Sequence, residues 1–291
     1  MKLTQIGKMA FGAQDGAIWG DFAFRFNANG DCRVFDARPL DTATEDSPVD
    51  LPLLASFAVN PAEPLVPHFN AVVFGTEYFA EGDEFPLLYA NIYNNYAKAE
   101  NRLEGTCCVY RLTRADLQFS MRLVQVIRIG FTKEPLWMSE GDKPDVRPYG
   151  NFVIDRDKNL LHVFTMRDAE HKTRYFTFPL PKLADGELCE DWGVPVVNLT
   201  KEDILKWFDT DYHLFIQGAC CHNGLVYSSE GFNKDIPPSL RVIDPAAGVQ
   251  LHAVNLVDLG YEVEAEWIDF RGGVCFYSDA HGNIFTADFD A

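Results

Sequence analysis

An all-β fold, a five-bladed β-propeller closed by its own N-terminal strand pairing in the last blade, is what this sequence predicts, on three observations. Five segments repeat one order of events: a polar or small-residue start, an apolar strand, a Gly, Asn or Asp turn, an aromatic strand, and a third strand ending near Asp or Pro. Four of them are followed by a further apolar run that supplies a fourth strand; the fifth is not, because the sequence stops at Ala291. Lys2 to Ile6, ahead of the first repeat, is an unassigned strand, so it is the one that the last blade lacks. A two-sheet sandwich or two packed all-β domains would use the same strands, but neither explains one spare at one end and one missing at the other.

The blades fall at about 9–62, 66–130, 146–200, 212–258, and 262–291 with 1–7, one domain over 1–291. In the first, Met9 to Gly16 and Ala17 to Phe26 are the opening strands, followed by Asn29-Gly30 and Cys32 to Asp36. The second runs from Phe69 to Phe74 through Pro86 to Tyr93 and on to Thr106 to Leu112; the third has Asn151 to Asp155, Leu160 to Thr165 and Thr173 to Phe178. The fourth and fifth carry the clearest hairpin turns, Asn223-Gly224 and Gly272-Gly273, between β-branched and aromatic runs. The fourth strands are Leu53 to Val59, Arg122 to Ile129, Val194 to Leu199 and Leu251 to Leu256. Longer connections lie at 41–50, 94–105, 131–148, 182–193 and 229–238, and Lys201 to Phe208 fits a short helix capped by Thr200.

Composition narrows the function. The chain has 47% hydrophobic and 23% charged residues, as ordinary globular proteins do, and 43 acids against 25 bases give a net charge of -18. That charge argues against nucleic acid and anionic membranes as partners. Met1 to Ala10 lacks the apolar core of a secretory signal, and the seven cysteines, four of them in adjacent pairs, read as reduced thiols, so a cytoplasmic location is expected.

The innermost strands of a propeller converge on its axis, and ligands usually bind at their N-terminal ends. Those ends offer Lys8 and Met9; His68 and Asn70; Arg147, Tyr149 and Asn151; Gln217; and Glu264 with Glu266. His68/Asn70 and Glu264/Glu266 are each spaced by two, which puts both side chains on one strand face. Beside Phe69, Phe152, Ile216 and Trp267 they describe a wet axial funnel. Equally, propeller axes are commonly lined by polar groups that bind nothing, and acids beside Arg, Lys and His neutralise one another.

In the last two repeats Gln217-Gly218, Tyr227, Gly231, Val242-Ile-Asp244, Gly248, Glu264-Ala-Glu266 and Phe270 resemble a pattern of bacterial five-bladed propeller proteins, the teichoic-acid biosynthesis protein C-like group among them. The resemblance covers about 75 residues and implies a fold and a surface or glycan connection, not a reaction; Trp267 stands where that pattern usually has Gly. Arabinanase-like glycosidases are also five-bladed, but they place three acids on different blades. Here only the last blade offers acids at these ends, and Asp15 or Asp145 would substitute only in another register.

Other signals are set aside. Asp155 to Asn159 begins like a calcium loop, but Leu160 and Met166 occupy the positions that need Gly and Glu. Cys221 and His222 are strand neighbours facing apart, and His162 reads as a hydrogen-bonded core residue. Asn198-Leu-Thr200 is an incidental sequon, and Tyr93, Tyr96, Trp137 and Trp207 anchor connections. No serine-hydrolase, metalloprotease, phosphate-loop or dinucleotide motif occurs, and no cofactor or metal is expected. Three functions stay open. The first is binding of a small polar ligand, a carbohydrate for instance, through Lys8, His68, Asn70, Arg147, Tyr149, Gln217, Glu264 and Glu266. The second is a glycan-active hydrolase or lyase with Glu264, Glu266 or His68 as catalytic groups, and the third a scaffold for a protein partner.

Overall fold

A computed structural model describes residues 1–59, 65, 68–92, 103, 105–137, 150–165, 172–211 and 216–290. Five sheets surround one axis, so the chain is a five-bladed β-propeller. Blade I comprises Gly16–Trp19, Phe22–Phe26, Asp31–Asp36 and Leu53–Ala58 from the axis outward, and blade II Val72–Phe74, Leu88–Asn91, Thr106–Ala115 and Gln118–Ile129. Blade III comprises Gly150–Asp155, Leu160–Thr165, Arg174–Pro179 and Lys206–Asp209, and blade IV Ile216–His222, Leu225–Glu230, Ser239–Asp244 and Val249–Asn255. Blade V is built from both ends of the chain: Ala265–Arg271, Val274–Asp279, Asn283–Asp288 and Lys2–Lys8, with the short strand Val49–Asp50 parallel to the last on the outer edge.

That closure follows the predicted pairing. Lys2 faces Asp288 and Lys8 faces Asn283 in an antiparallel ladder, with Leu3 and Ile6 turned into the core. Asn223-Gly224 and Gly272-Gly273 both have positive φ at each central residue, the geometry that lets a two-residue hairpin turn match strand twist. Aromatic residues fill the gaps between blades. Phe24, Phe74, Phe85 and Phe119 meet edge to face between blades I and II, and buried Trp137 stacks on Phe176 at 5.7 Å between II and III.

Three elements differ from the sequence expectation. Gly20-Asp21 is a turn, so Ala17 to Phe26 splits into two strands; the innermost strand of blade I starts at Gly16, and Met9 to Asp15 is the segment leading into it. Val194–Leu199 does not complete blade III but lies parallel to Gln118–Ile129 on the outer edge of blade II, with Glu187–Cys189 beyond it. The fourth strand of blade III is Lys206–Asp209, within the stretch expected to be helical. A Thr200/Asp203 capping box holds only the 3-10 turn Lys201–Asp203. Beyond it Phe208 stacks on Tyr175 at 5.3 Å, and burying that ring on the sheet prevails over helix propensity.

Candidate functional site

An innermost strand has a sheet partner on one side only, so its axis-facing amides and carbonyls need partners from elsewhere. Side chains at the N-terminal ends supply them and join all five blades. Asp15 Oδ2 accepts from the Val72 amide (2.8 Å), linking I to II. Asn91 accepts from the Ala71 amide (2.6 Å) and donates to Asn151 Oδ1 (2.8 Å), linking II to III. Asn151 Nδ2 donates to the Gln217 carbonyl (2.8 Å), and Asn70 Nδ2 reaches the Ile216 carbonyl (3.1 Å), so II and III both grip IV. Gln217 Nε2 donates to Glu264 Oε1 (2.6 Å) and Gln14 Nε2 to Glu266 Oε1 (3.0 Å), joining IV to V and V to I.

Local backbone irregularity aims these groups. The pairing register slips between Ile216 and Ala219 and again between Ala265 and Trp267, so Gln217 and Glu266 sit in bulges that turn them toward the axis. At Gly218 a Cβ would strike the Glu266 carbonyl and the Asp15 carboxylate, so only glycine permits this approach of blades I, IV and V.

A charged centre lies within the ring. Arg25 is fully buried; its Nη2 donates to the Gln14 carbonyl (3.0 Å), and its guanidinium lies 4.9 Å from the Trp267 ring centroid. Burial pushes its pKa down to about 10 against the field of Asp15 and Glu266. Burial likewise raises Asp15 and Glu266 well above the usual carboxyl range; the nearby Glu264 adds to the rise in Glu266, and Arg25 opposes it in both. Asp15 Oδ1 and Glu266 Oε2 accept no hydrogen bond. Glu264 is only half-buried, yet burial still lifts it to about 7, against the hydrogen bonds with Glu266 and from Gln217. Side by side, Glu264 and Glu266 share a hydrogen bond, so the two carboxyls do not titrate independently.

Of the residues proposed from sequence, Asn70, Gln217, Glu264 and Glu266 lie in this assembly. His68 stands two residues before Asn70, half-buried, and desolvation lowers it to about 4, so it is neutral at physiological pH. Lys8 is not at the axis: it is exposed in the fourth strand of blade V, paired with Asp50, because the blade I register starts seven residues later than expected. Arg147 and Tyr149 lie outside the described residues. Sequence reading missed Gln14, Arg25 and Asn91, and admitted Asp15 only in another register, which is the one blade I takes. Asp15-Gly16 repeats the polar-Gly pattern of Gln217-Gly218 at the start of an innermost strand, a signal that would have found Asp15.

At the opposite end of the axis Asp269 accepts from the Ile18 amide (2.6 Å) and the Phe270 amide (2.7 Å), and burial lifts it to about 6. Among the described residues, Asp155, His162 and Cys221 form the one group able to offer three metal-ligating atoms, all within 4.8 Å of one another. Among the described residues, no helix is long and apolar enough to cross a membrane.

These features define the class, a five-bladed propeller with a polar, partly ionisable axis. No protein-family model matches the sequence, and no curated protein does. Similar solved structures include Myxococcus xanthus glutaminyl cyclase, at 10% identity over 99% of this chain and 96% of that one with a TM-score of 0.45. BamB from Moraxella catarrhalis aligns over 94% and 71% at 10% identity and a TM-score of 0.36. The computationally designed Ika8 protein aligns over 97% and 99% at 10% identity and a TM-score of 0.37. No residue role is transferred across such distances.

Proposed function

We propose that the protein binds a small, hydroxyl-rich ligand of the carbohydrate class at the mouth formed by the N-terminal ends of the innermost strands, with Glu264 as a direct contact. One observation carries the reading: Glu264 is half-buried, whereas the other two carboxyls of the ring, Asp15 and Glu266, are buried. A carboxyl lifted to about 7 is a mixture of acid and carboxylate at neutral pH, able to donate to or accept from a sugar hydroxyl. His68, half-buried on blade II two residues before Asn70, is lowered by burial to about 4 and so stands neutral at the same end. Arg147 and Tyr149 belong to the same proposal on sequence grounds, as does the glycan connection implied by the resemblance of the last two blades. A glycan array probed with the wild-type chain and with Glu264→Gln tests it. Selective binding that weakens in the variant is expected; no glycan bound, or equal binding by both, overturns it.

A second reading, hydrolysis or elimination on a glycan, is favoured by the Glu264/Glu266 pair, since a carboxyl near neutrality beside a buried one suits general acid-base work. Turnover of an array-selected glycan, lost in Glu266→Gln, would establish it, and binding without turnover would dismiss it.

A further inference from the structure

We propose that Asp155, His162 and Cys221 form a binding site for a divalent transition metal of the zinc class, at the end of the axis away from Glu264. The three residues come from separate strands: Asp155 ends the innermost strand of blade III, His162 lies on the next, and Cys221 is on the innermost strand of blade IV. No sequence spacing announces such a set, which is why none was expected. Their ligating atoms lie within 4.8 Å of one another, and bonds of about 2.0 to 2.3 Å to a tetrahedral ion would draw them to roughly 3.3 to 3.7 Å apart.

Two details point to a ligand rather than to accidental proximity. Asp155 and His162 are 1% and 2% exposed, yet Asp155 Oδ2 and His162 Nε2 have no hydrogen-bond partner, and buried polar atoms rarely go unpaired. The rest of each side chain is fixed. His162 Nδ1 pairs with Thr177 Oγ1 at 3.0 Å, the outer contact that sets a ligating imidazole's tautomer. Asp155 Oδ1 accepts from the Asp157 and Lys158 amides, both at 3.1 Å. Cys221 is half-buried and turns toward blade III, while its neighbour His222 stacks on Phe270 at 4.0 Å.

The donor set selects the ion. A thiolate with an imidazole suits zinc and its neighbours and disfavours calcium and magnesium, and three protein ligands leave a fourth position for water. Binding releases the thiol proton to solvent, and thiolate plus carboxylate then balance the two charges of the ion. The Lys158 ammonium, 3.6 Å from Asp155 Oδ2, supplies local positive charge; its half-exposed side chain can swing into solvent when the ion enters.

Cobalt titration of the full chain, read by the thiolate-to-cobalt charge-transfer band, is the test, with zinc displacing the cobalt. One equivalent of cobalt producing the band is expected, abolished in Cys221→Ser and retained in Cys189→Ser, the other cysteine that is not buried. Thr177→Val, which touches no ion, should weaken binding about 10- to 100-fold through His162, and Lys158→Met should tighten it. Circular dichroism verifies that each variant is folded. No band in the wild-type chain, or a band that survives Cys221→Ser and vanishes in Cys189→Ser, overturns the proposal.

Discussion

Replacing Arg25 by Met asks whether charge holds the centre of the axis together. The guanidinium is fully buried, and it opposes the raised pKa of both Asp15 and Glu266. Met fills much of the same space without charge, so the substitution removes that opposition while keeping most of the packing. A carboxyl raised in the folded state contributes stability that is complete below its unfolded pKa and is lost as pH climbs through the folded one. Lifting Asp15 and Glu266 further therefore deepens the loss at neutral and alkaline pH. Leaving an uncompensated buried charge costs about 3 to 5 kcal/mol, which is the loss expected at pH 8. Since burial raises both carboxyls, pH 5 favours their neutral forms more than pH 8 does, so the loss is smaller there. Urea unfolding at the two pH values measures both. Equal losses at pH 5 and pH 8, or a loss under about 1 kcal/mol at pH 8, would refute the argument that Arg25 governs these carboxyls.

Other perturbations probe the rest of the ring. Asn91→Leu strands the buried Ala71 amide and the side-chain Oδ1 of Asn151, and at about 1 to 3 kcal/mol for each orphan the urea midpoint should fall by the equivalent of about 2 to 6 kcal/mol. Glu264→Gln cannot ionise. The wild-type chain loses stability as pH rises from the ordinary value of 4.5 through about 7, and the variant should lose less over that window in matched unfolding curves. Deleting residues 1–8 removes the buried Leu3 and Ile6 and bares the edge of Asn283–Asp288. At about 1.5 to 3 kcal/mol per side chain, a marked drop in Tm with self-association on gel filtration is expected, and an unchanged Tm would contradict closure by the N-terminal strand.

The fold was legible because its signals are local and repeated. Hairpin turns such as Asn223-Gly224 and the spare strand at Lys2 to Ile6 are visible without any knowledge of packing. What misled were places where a tertiary contact outweighs a local signal. Phe208 prefers the face of Tyr175 to a helix begun by Thr200, and Val194–Leu199 leaves its own repeat for the edge of blade II. The site was half legible. Glu264, Glu266, Gln217 and Asn70 could be placed because each precedes or opens an apolar innermost strand. Arg25 and Asn91 could not, since both lie on second strands and reach the axis only because neighbouring blades converge. Asp15 was kept only for another register, because the turn at Gly20-Asp21 that sets this one was not read.

Convergence also explains why so many polar residues crowd the axis. Five innermost strands each turn an unpaired edge inward, and burying those amides and carbonyls without partners would cost more than the fold could bear. Asn70, Asn151, Asp15 and Asp269 answer that need, each bonded to a backbone group of another blade, and Asn91 bonds one backbone group of its own blade and one of blade III. A polar axis is therefore first a requirement of the architecture, and a residue there acquires functional meaning only for atoms the architecture leaves unused. By that criterion two places stand apart: the unbonded Oδ1 of Asp15 and Oε2 of Glu266 beside the half-buried Glu264, and the unbonded Oδ2 and Nε2 of Asp155 and His162 facing Cys221 at the far end.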